Sequence, residues 1–477
     1  MAAAAGRREL RLDILLTHGY FLGEDPHELE VMRPYAPLGI LYISAHLKER
    51  GFAAEIFDST FEDTGSFEAF VERVRPPVVG IYCNMMTRRS VIALIPACRA
   101  AGAHVVVGGP DPVNYAEEYL DAGADVVVVG EGERTLEDLI PHLPRSGPHS
   151  MREIPGIVYR EGDGELVRTV PRPYLADLDA QPFPDRGSID IPAYMRVWRE
   201  HHGMSAVSLI TARGCPYTCT WCSHSVFGYT HRRRSAANVA DELEQVVATY
   251  TPDMVWYADD VFTIHHRWLR GYADELDRRG LKVPFETISR EDRLNEEVVA
   301  TLARMGCFRL WIGSESGSQR VLDAMQRRTD AARVREMVHL LQRHGIEAGM
   351  FIMLGYDGEE LADLEETVEH LKLANPDQLL TTVAYPIKGT PYYETVADRV
   401  RPLKPWAQGS DRDLTVAGRH SRRFYRHATR WMVSEVARHR LSRQRRPAYG
   451  PLLRSLVNAK RGRLGMMLTR HELEEGA

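Results

Sequence analysis

Short apolar runs recur along the first 140 residues, at "LDILLTH" (12–18), "AAEIFDS" (53–59), "VVGIYCN" (78–84), "HVVVGGP" (104–110) and "ADVVVVGEGE" (124–133). Each is rich in Val and Ile and ends in turn formers, the pattern of strands buried on both faces. The stretches between them read as helices. In "PLGILYISAHLKERG" Pro37 suits a first helical turn, Ile40, Ile43 and Leu47 share a face, and Gly51 suits a stop. This alternation predicts an α/β, doubly wound domain over residues 1–145, whose ligands bind at the carboxyl ends of the strands. Gly108, Gly109, Gly130 and Gly132 collect there.

Residues 146–192 read as a connector. "GIVYREGDGELVRTV" predicts a hairpin turning at Gly162 to Gly164, and "PRPYLADLDAQPFPD" is too rich in proline for a helix. A second series follows over residues 193–405. Strands fit "AVSLITAR", "DMVWYADD", "PFETISR", "CFRLWIGSES", "EAGMFIMLG" and "LLTTVAY"; helices fit between them, as in "SAANVADELEQVVATY" and "NEEVVATLARMG". Six such units predict a partial (β/α)6 barrel with its chemistry at the strands' carboxyl ends. Residues 406–477 lose the strand pattern and read as a helical, basic tail.

The net charge of −6 argues against general nucleic-acid binding. Arginines nevertheless crowd between Arg412 and Arg446, where the choice is between a patch for an anionic partner and a solvated helical face. No signal-like or bilayer-spanning run is present, so a cytoplasmic chain with no membrane association is expected. Cys83, Cys98 and Cys307 fall in apolar elements.

The other three cysteines change the picture. Cys215, Cys219 and Cys222 lie within eight positions in "GCPYTCTWCSH", just after the first barrel strand. Zinc would require a fourth ligand, and His224 stands in an uncommon spacing for one. Thiolates are the usual ligands of iron–sulfur clusters. Three cysteines on a four-iron cluster leave one iron open to a cofactor.

C-x-x-x-C-x-x-C with Trp221 before the last cysteine resembles the signature of the radical S-adenosylmethionine (SAM) superfamily. The resemblance implies a [4Fe–4S] cluster on Cys215, Cys219 and Cys222. There, one electron from an external donor such as a flavodoxin or ferredoxin splits SAM into a 5′-deoxyadenosyl radical. It also implies SAM contacts at Trp221, at Ala258, Asp259 and Asp260 of "YADD", and at Ser314 and Glu315 of "GSES". "GMFIMLGYDGEE" (349–360) resembles the segment beside the adenine, with Asp357 where the family often has proline. "YPIKGTPYY" matches a sixth-strand segment.

The domain order is similar to that of the B12-binding subgroup, on "APLGILYISAHLKERGF", "GGPDP" and "VGEGE". The implied cobalamin contacts are Thr87, Gly108, Gly109, Gly130, Glu131 and Gly132. "DPHELE" (25–30) has Glu30 where a cobalt-ligating D-x-H-x-x-G motif has glycine, which decides little because many relatives bind cobalamin without that histidine. Two features bear against cobalamin: Arg88 and Arg89 stand in a loop expected to face the corrin, and Asp111 of "GGPDP" replaces a histidine common in relatives. The alternatives are bound cobalamin and a retained scaffold with an empty site.

The reaction expected first is hydrogen abstraction from a small natural product, such as an aminosugar, followed by diol dehydration, deoxygenation or another radical conversion, as in aminoglycoside biosynthesis. Asp259, Asp260, Glu291, Glu315 and Asp357 would then meet a polycation. The alternative is a cobalamin-dependent C-methyltransferase. A tRNA-modifying enzyme comes second among the alternatives, because the first domain has only Cys83 and Cys98 for a further cluster.

Overall fold

The computed structural model describes residues 12–143, 151–162, 164–443 and 448–474. The chain divides into two units: Met1–Val207 with Ser225–Gly228, and Ser208–His224 with Tyr229–Ala477.

In the first unit the five apolar runs form β1 (Ile14–His18), β2 (Ala54–Phe57), β3 (Val78–Tyr82), β4 (His104–Gly108) and β5 (Val126–Val128). They pair in parallel in the order β2-β1-β3-β4-β5. That order reverses direction between β1 and β3, the place where doubly wound sheets bind ligands. The connector supplies β6 (Ile157–Arg160) and β7 (Leu166–Arg168), which extend the sheet antiparallel from β5. The tip of their turn, Asp163, lies outside the described residues. Beyond them the proline-rich stretch forms no α-helix. It is held to its own unit by side chains: Ser44 and Lys48 donate to Asp185 at 2.7 and 2.6 Å, and in the helix that follows Tyr194 donates to Asp58.

The second unit's sheet is built from β8 (Ala206–Leu209), then β11 (Met254–Tyr257), β12 (Phe285–Ser289), β13 (Cys307–Glu315), β14 (Glu347–Leu354) and β15 (Gln378–Val383). Between β8 and β11 a short antiparallel pair, β9 (Ala212–Arg213) and β10 (Arg232–Arg233), flanks the cysteine loop. The six long strands lie in sequence order, as the six-unit pattern predicts. The helices open where the sequence offers caps: Ser235 accepts from Asn238 N–H, and Asn295 from Val298 N–H.

The tail is helical, Arg422–Ser442 packing on Tyr449–Thr469, after a three-residue antiparallel pair, β16 (Val400–Pro402) and β17 (Leu414–Val416). It is locked to the ends of β14 and β15. Arg419 donates to the carbonyls of Gly355 and Ala384 at 3.1 and 2.5 Å, and the Tyr425 ring packs so closely on Gly355 that a Cβ there would lie 2.7 Å from it. No helix among the described residues is long and apolar enough to cross a membrane.

Glu359 accepts the Gly355 N–H at 2.5 Å in the same junction, and burial pushes its carboxyl up to about 8. A carboxyl that holds its proton more tightly when folded adds stability in full below about pH 4.5, and that contribution is lost as pH rises through about 8. Glu359→Gln should therefore lose less stability than the parent over that window. Urea midpoints taken from pH 5 to pH 9 that fall in parallel for both proteins would refute this assignment.

Candidate functional site

The loop that carries the three cysteines is clamped by Thr220. Its N–H and hydroxyl both donate to the Met325 carbonyl at 3.1 Å, its hydroxyl lies 2.8 Å from the Tyr356 hydroxyl, and its carbonyl accepts from Tyr392 N–H at 2.9 Å. Trp221 packs against the apolar cluster of Val321, Met325, Tyr356, Tyr392, Val396 and Val416. The sequence singles out Trp221 and gives no sign of Thr220.

The thiols are chemically unequal. Cys219 is held down to about 7, chiefly by a hydrogen bond from Cys222, with the Arg290 guanidinium 3.9 Å away adding to the effect. Donating that hydrogen bond raises Cys222, and burial lifts Cys215 to about 11. Arg290 is itself fixed: it donates to Asp292 at 2.9 Å and lies 3.8 Å over the Tyr217 ring. Because the thiolate is the ligand form, Cys219 is the readiest of the three. The candidate fourth ligand, His224, stacks its ring on Tyr229 at 4.2 Å. Among the described residues no three Cys, His, Asp or Glu side chains gather so as to hold a single metal ion. Three thiols on one braced loop suit a cluster with one open iron.

Around the loop the acidic residues divide by role. Asp259 is buried and fully engaged: it accepts from Thr211 N–H at 2.7 Å, Thr211 hydroxyl at 2.5 Å, Ala212 N–H at 3.2 Å and Arg233 at 3.1 Å. Four donors occupy the acceptor sites of a carboxylate. Asp259 thus ties the end of β11 to the segment after β8. Asp260 and Ala258 are exposed beside it, and partial burial together with the Asp259 charge raises the Asp260 carboxyl to about 6.

At the end of β13 the register shifts between Gly313 and Glu315, and Glu315 adopts a φ of 60°, a strained conformation for a non-glycine residue. Burial pushes its carboxyl up to about 8, and the nearby Cys219 adds to the rise. Ser314 points the other way, its buried hydroxyl 3.0 Å from His370, so it offers a cofactor only backbone. Arg327 donates to the Gly313 carbonyl at 2.6 Å and lies 3.6 Å from Glu291 and 3.7 Å from Glu315. Asp357 is gripped by Arg399 at 2.8 and 3.0 Å. Of the five carboxylates expected to meet a polycation, four face arginines of the same chain; among the described residues Asp260 alone has no basic partner.

The first unit's candidate residues lie along the carboxyl edge of its sheet. Gly130 has a φ of 90° and only the Val226 carbonyl, at 3.8 Å, near the position of a Cβ, so the backbone is open to a ligand. Gly109 is a glycine for a different reason: its φ is 108°, and a Cβ would lie 2.3 Å from the Cys83 carbonyl. Gly108 ends β4, and Gly132 starts a helix against Ile43. Thr87 spends its hydroxyl on Asn84, and Glu131 accepts from Leu175 N–H at 2.7 Å, so neither side chain is spare. Arg88 is not in an open loop. It begins the helix Arg88–Ala100, is buried, and grips Asp111 through two hydrogen bonds of 2.9 and 2.7 Å beneath the Tyr115 ring. Its bulk is turned into the protein and does not obstruct the edge. His27 of "DPHELE" is exposed on a short helix that Asp25 caps.

A barrel with three thiols on its first loop, preceded by a doubly wound domain, is the arrangement of a radical SAM enzyme with a B12-binding domain. The comparisons agree: residues 209–371 match the radical SAM superfamily model and residues 30–140 match the B12 binding domain model. The first match carries with it a [4Fe–4S] cluster and SAM, and the second cobalamin. The chain is 26% identical over 393 residues to an uncharacterized methyltransferase of Pyrococcus horikoshii, spanning 80% of this chain and 83% of that protein. It is 26% identical over 388 residues to the anaerobic magnesium-protoporphyrin IX monomethyl ester cyclase of Cereibacter sphaeroides, spanning 78% and 62%. Its fold resembles the radical S-adenosylmethionine methyltransferase TsrM of Kitasatospora setae, solved with cobalamin and a [4Fe–4S] cluster bound. The TM-score is 0.68 at 18% identity, over 84% of this chain and 81% of that one.

Proposed function

We propose that this chain is a cobalamin-dependent radical SAM C-methyltransferase acting on a small molecule. The observation that carries the reading is the B12-binding domain in series with the barrel, in a chain whose relatives over about four-fifths of its length include an uncharacterized methyltransferase. This supports methyl transfer over diol dehydration. The argument for a polycationic aminosugar also weakens, since the barrel-mouth acids are largely neutralised by Arg233, Arg327 and Arg399. The tRNA-modifying alternative lacks support: Cys83 and Cys98 are buried single thiols, and Cys83 is engaged by Tyr119 at 3.0 Å.

When bound, the cluster and SAM supply a carbon-centred radical, and cobalamin supplies a transferable methyl group. In this reading Cys215, Cys219 and Cys222 hold the cluster, and Thr220 and Trp221 keep their loop rigid. Asp260, Glu315 and the backbone of Ala258 and Ser314 orient SAM, while Asp259 fixes the segment they stand on. Gly108, Gly109, Gly130 and Gly132, with the backbone of Thr87 and Glu131, cradle cobalamin. A flavodoxin or ferredoxin delivers the electron.

Anaerobic reconstitution followed by cobalamin titration, read by absorbance, separates the readings. Stoichiometric uptake, with label passing from methyl-labelled SAM into a substrate, is the expected result. No uptake, combined with reductant-dependent formation of 5′-deoxyadenosine, would sink methyl transfer and restore dehydration.

A further inference from the structure

We propose that the helix Tyr449–Thr469 seats this protein on an anionic lipid bilayer. The inference is independent of the chemistry proposed above and rests on how the two faces of the helix are used. One face is committed to the neighbouring helix Arg422–Ser442. Ala459, Gly462, Gly465, Met466 and Thr469 are buried there. The approach needs small residues: a Cβ on Gly462 would lie 2.6 Å from Trp431 N, and one on Gly465 would lie 2.3 Å from the His427 ring.

The opposite face is apolar, and no described residue covers it. Tyr449 (78% exposed), Leu453 (61%), Val457 (39%), Leu464 (56%), Met467 (62%) and Leu468 (73%) fall on it. At 3.6 residues per turn these six occupy an arc of roughly 100°, directly across from the buried one. Lys460 sits within the arc, and Arg454 and Arg461 line one border. Among the described residues none of these three cations has a carboxylate partner, whereas Arg463 is tied to Glu365. The helix carries no Asp or Glu at all.

An apolar ridge bordered by unpaired cations matches the surface of a bilayer with anionic headgroups: the apolar side chains enter the acyl boundary and the cations meet phosphates. A second copy fits poorly, because pairing two such faces would set like charges against each other. The helix is too polar to span, so it lies along the surface.

The test uses the intact, cluster-loaded protein in flotation with vesicles. It should float with equimolar phosphatidylglycerol and phosphatidylcholine, stay behind with phosphatidylcholine alone, and be released by high salt. Lys460→Ala with Arg461→Ala should weaken partitioning roughly 30-fold, at about 1 kcal/mol for each cation near the surface. Leu464→Glu with Leu468→Glu should abolish it, while iron content and thermal midpoint stay at parental values because both sites are exposed. The proposal is overturned if the parent ignores anionic vesicles. It is equally overturned if the parent sediments as a dimer that the paired Glu substitutions dissociate, since a second copy would then cover the ridge.

Discussion

Asp111→Ala is expected to destabilise the first unit by about 3–5 kcal/mol, the usual cost of breaking a buried ion pair from one side. Asp111 and Arg88 are each about 2% exposed at their side chains. Asp111 receives two hydrogen bonds from Arg88 and a third, of 2.6 Å, from Tyr119. Removing the carboxylate takes from the buried guanidinium the two hydrogen bonds and the opposite charge that Asp111 supplies, and the stacking of Tyr115 on it cannot repay that loss. Arg88→Met made in the Asp111→Ala background should recover much of the loss, because the buried charge that Asp111 balanced is then gone. Hydrogen exchange of the β3 and β4 amides reports the opening of this unit separately from the barrel. Protection unchanged in Asp111→Ala, or a double variant less protected than the single one, would contradict the account.

Serine at Cys215, Cys219 or Cys222 is expected to remove the cluster and cut reductive cleavage of SAM by at least about a hundredfold, beyond what loss of an outer-shell partner produces. A serine hydroxyl stays protonated at neutral pH and is a poor ligand for iron, and the loop has no spare thiol. The Thr220 clamp and the Trp221 packing do not involve the three cysteine side chains, so the apo variants should fold. Iron and sulfide analysis with the visible absorption of reconstituted protein gives the cluster readout, and far-ultraviolet circular dichroism checks the fold. A variant that retained full iron and turnover would remove its cysteine from the ligand set.

The strands are legible in the sequence because valine-rich runs between turn residues admit few other structures. The cysteine loop is legible because its spacing is unusual. What the sequence hides is pairing over distance. Arg88 reads as an obstruction until Asp111, 23 positions on, is seen to hold it. Asp259 reads as a ligand until Thr211 and Arg233 are found to use all its acceptor sites. Ser314 and Glu315 look equivalent side by side, yet the Ser314 hydroxyl is spent on His370 while a register shift and a φ of 60° set Glu315 apart from it. The pairing of β16 with β17 is too short to leave a period.

The hairpin appended to β5 bears on how such a protein can be taken apart. Val126–Val128 is a run of valines whose outer hydrogen-bonding edge is filled by Ile157–Arg160. A fragment cut at the composition border near residue 145 would present that edge naked, an invitation to intermolecular strand addition. In gene fusion or laboratory dissection, the piece able to travel alone is the sheet together with its antiparallel flap.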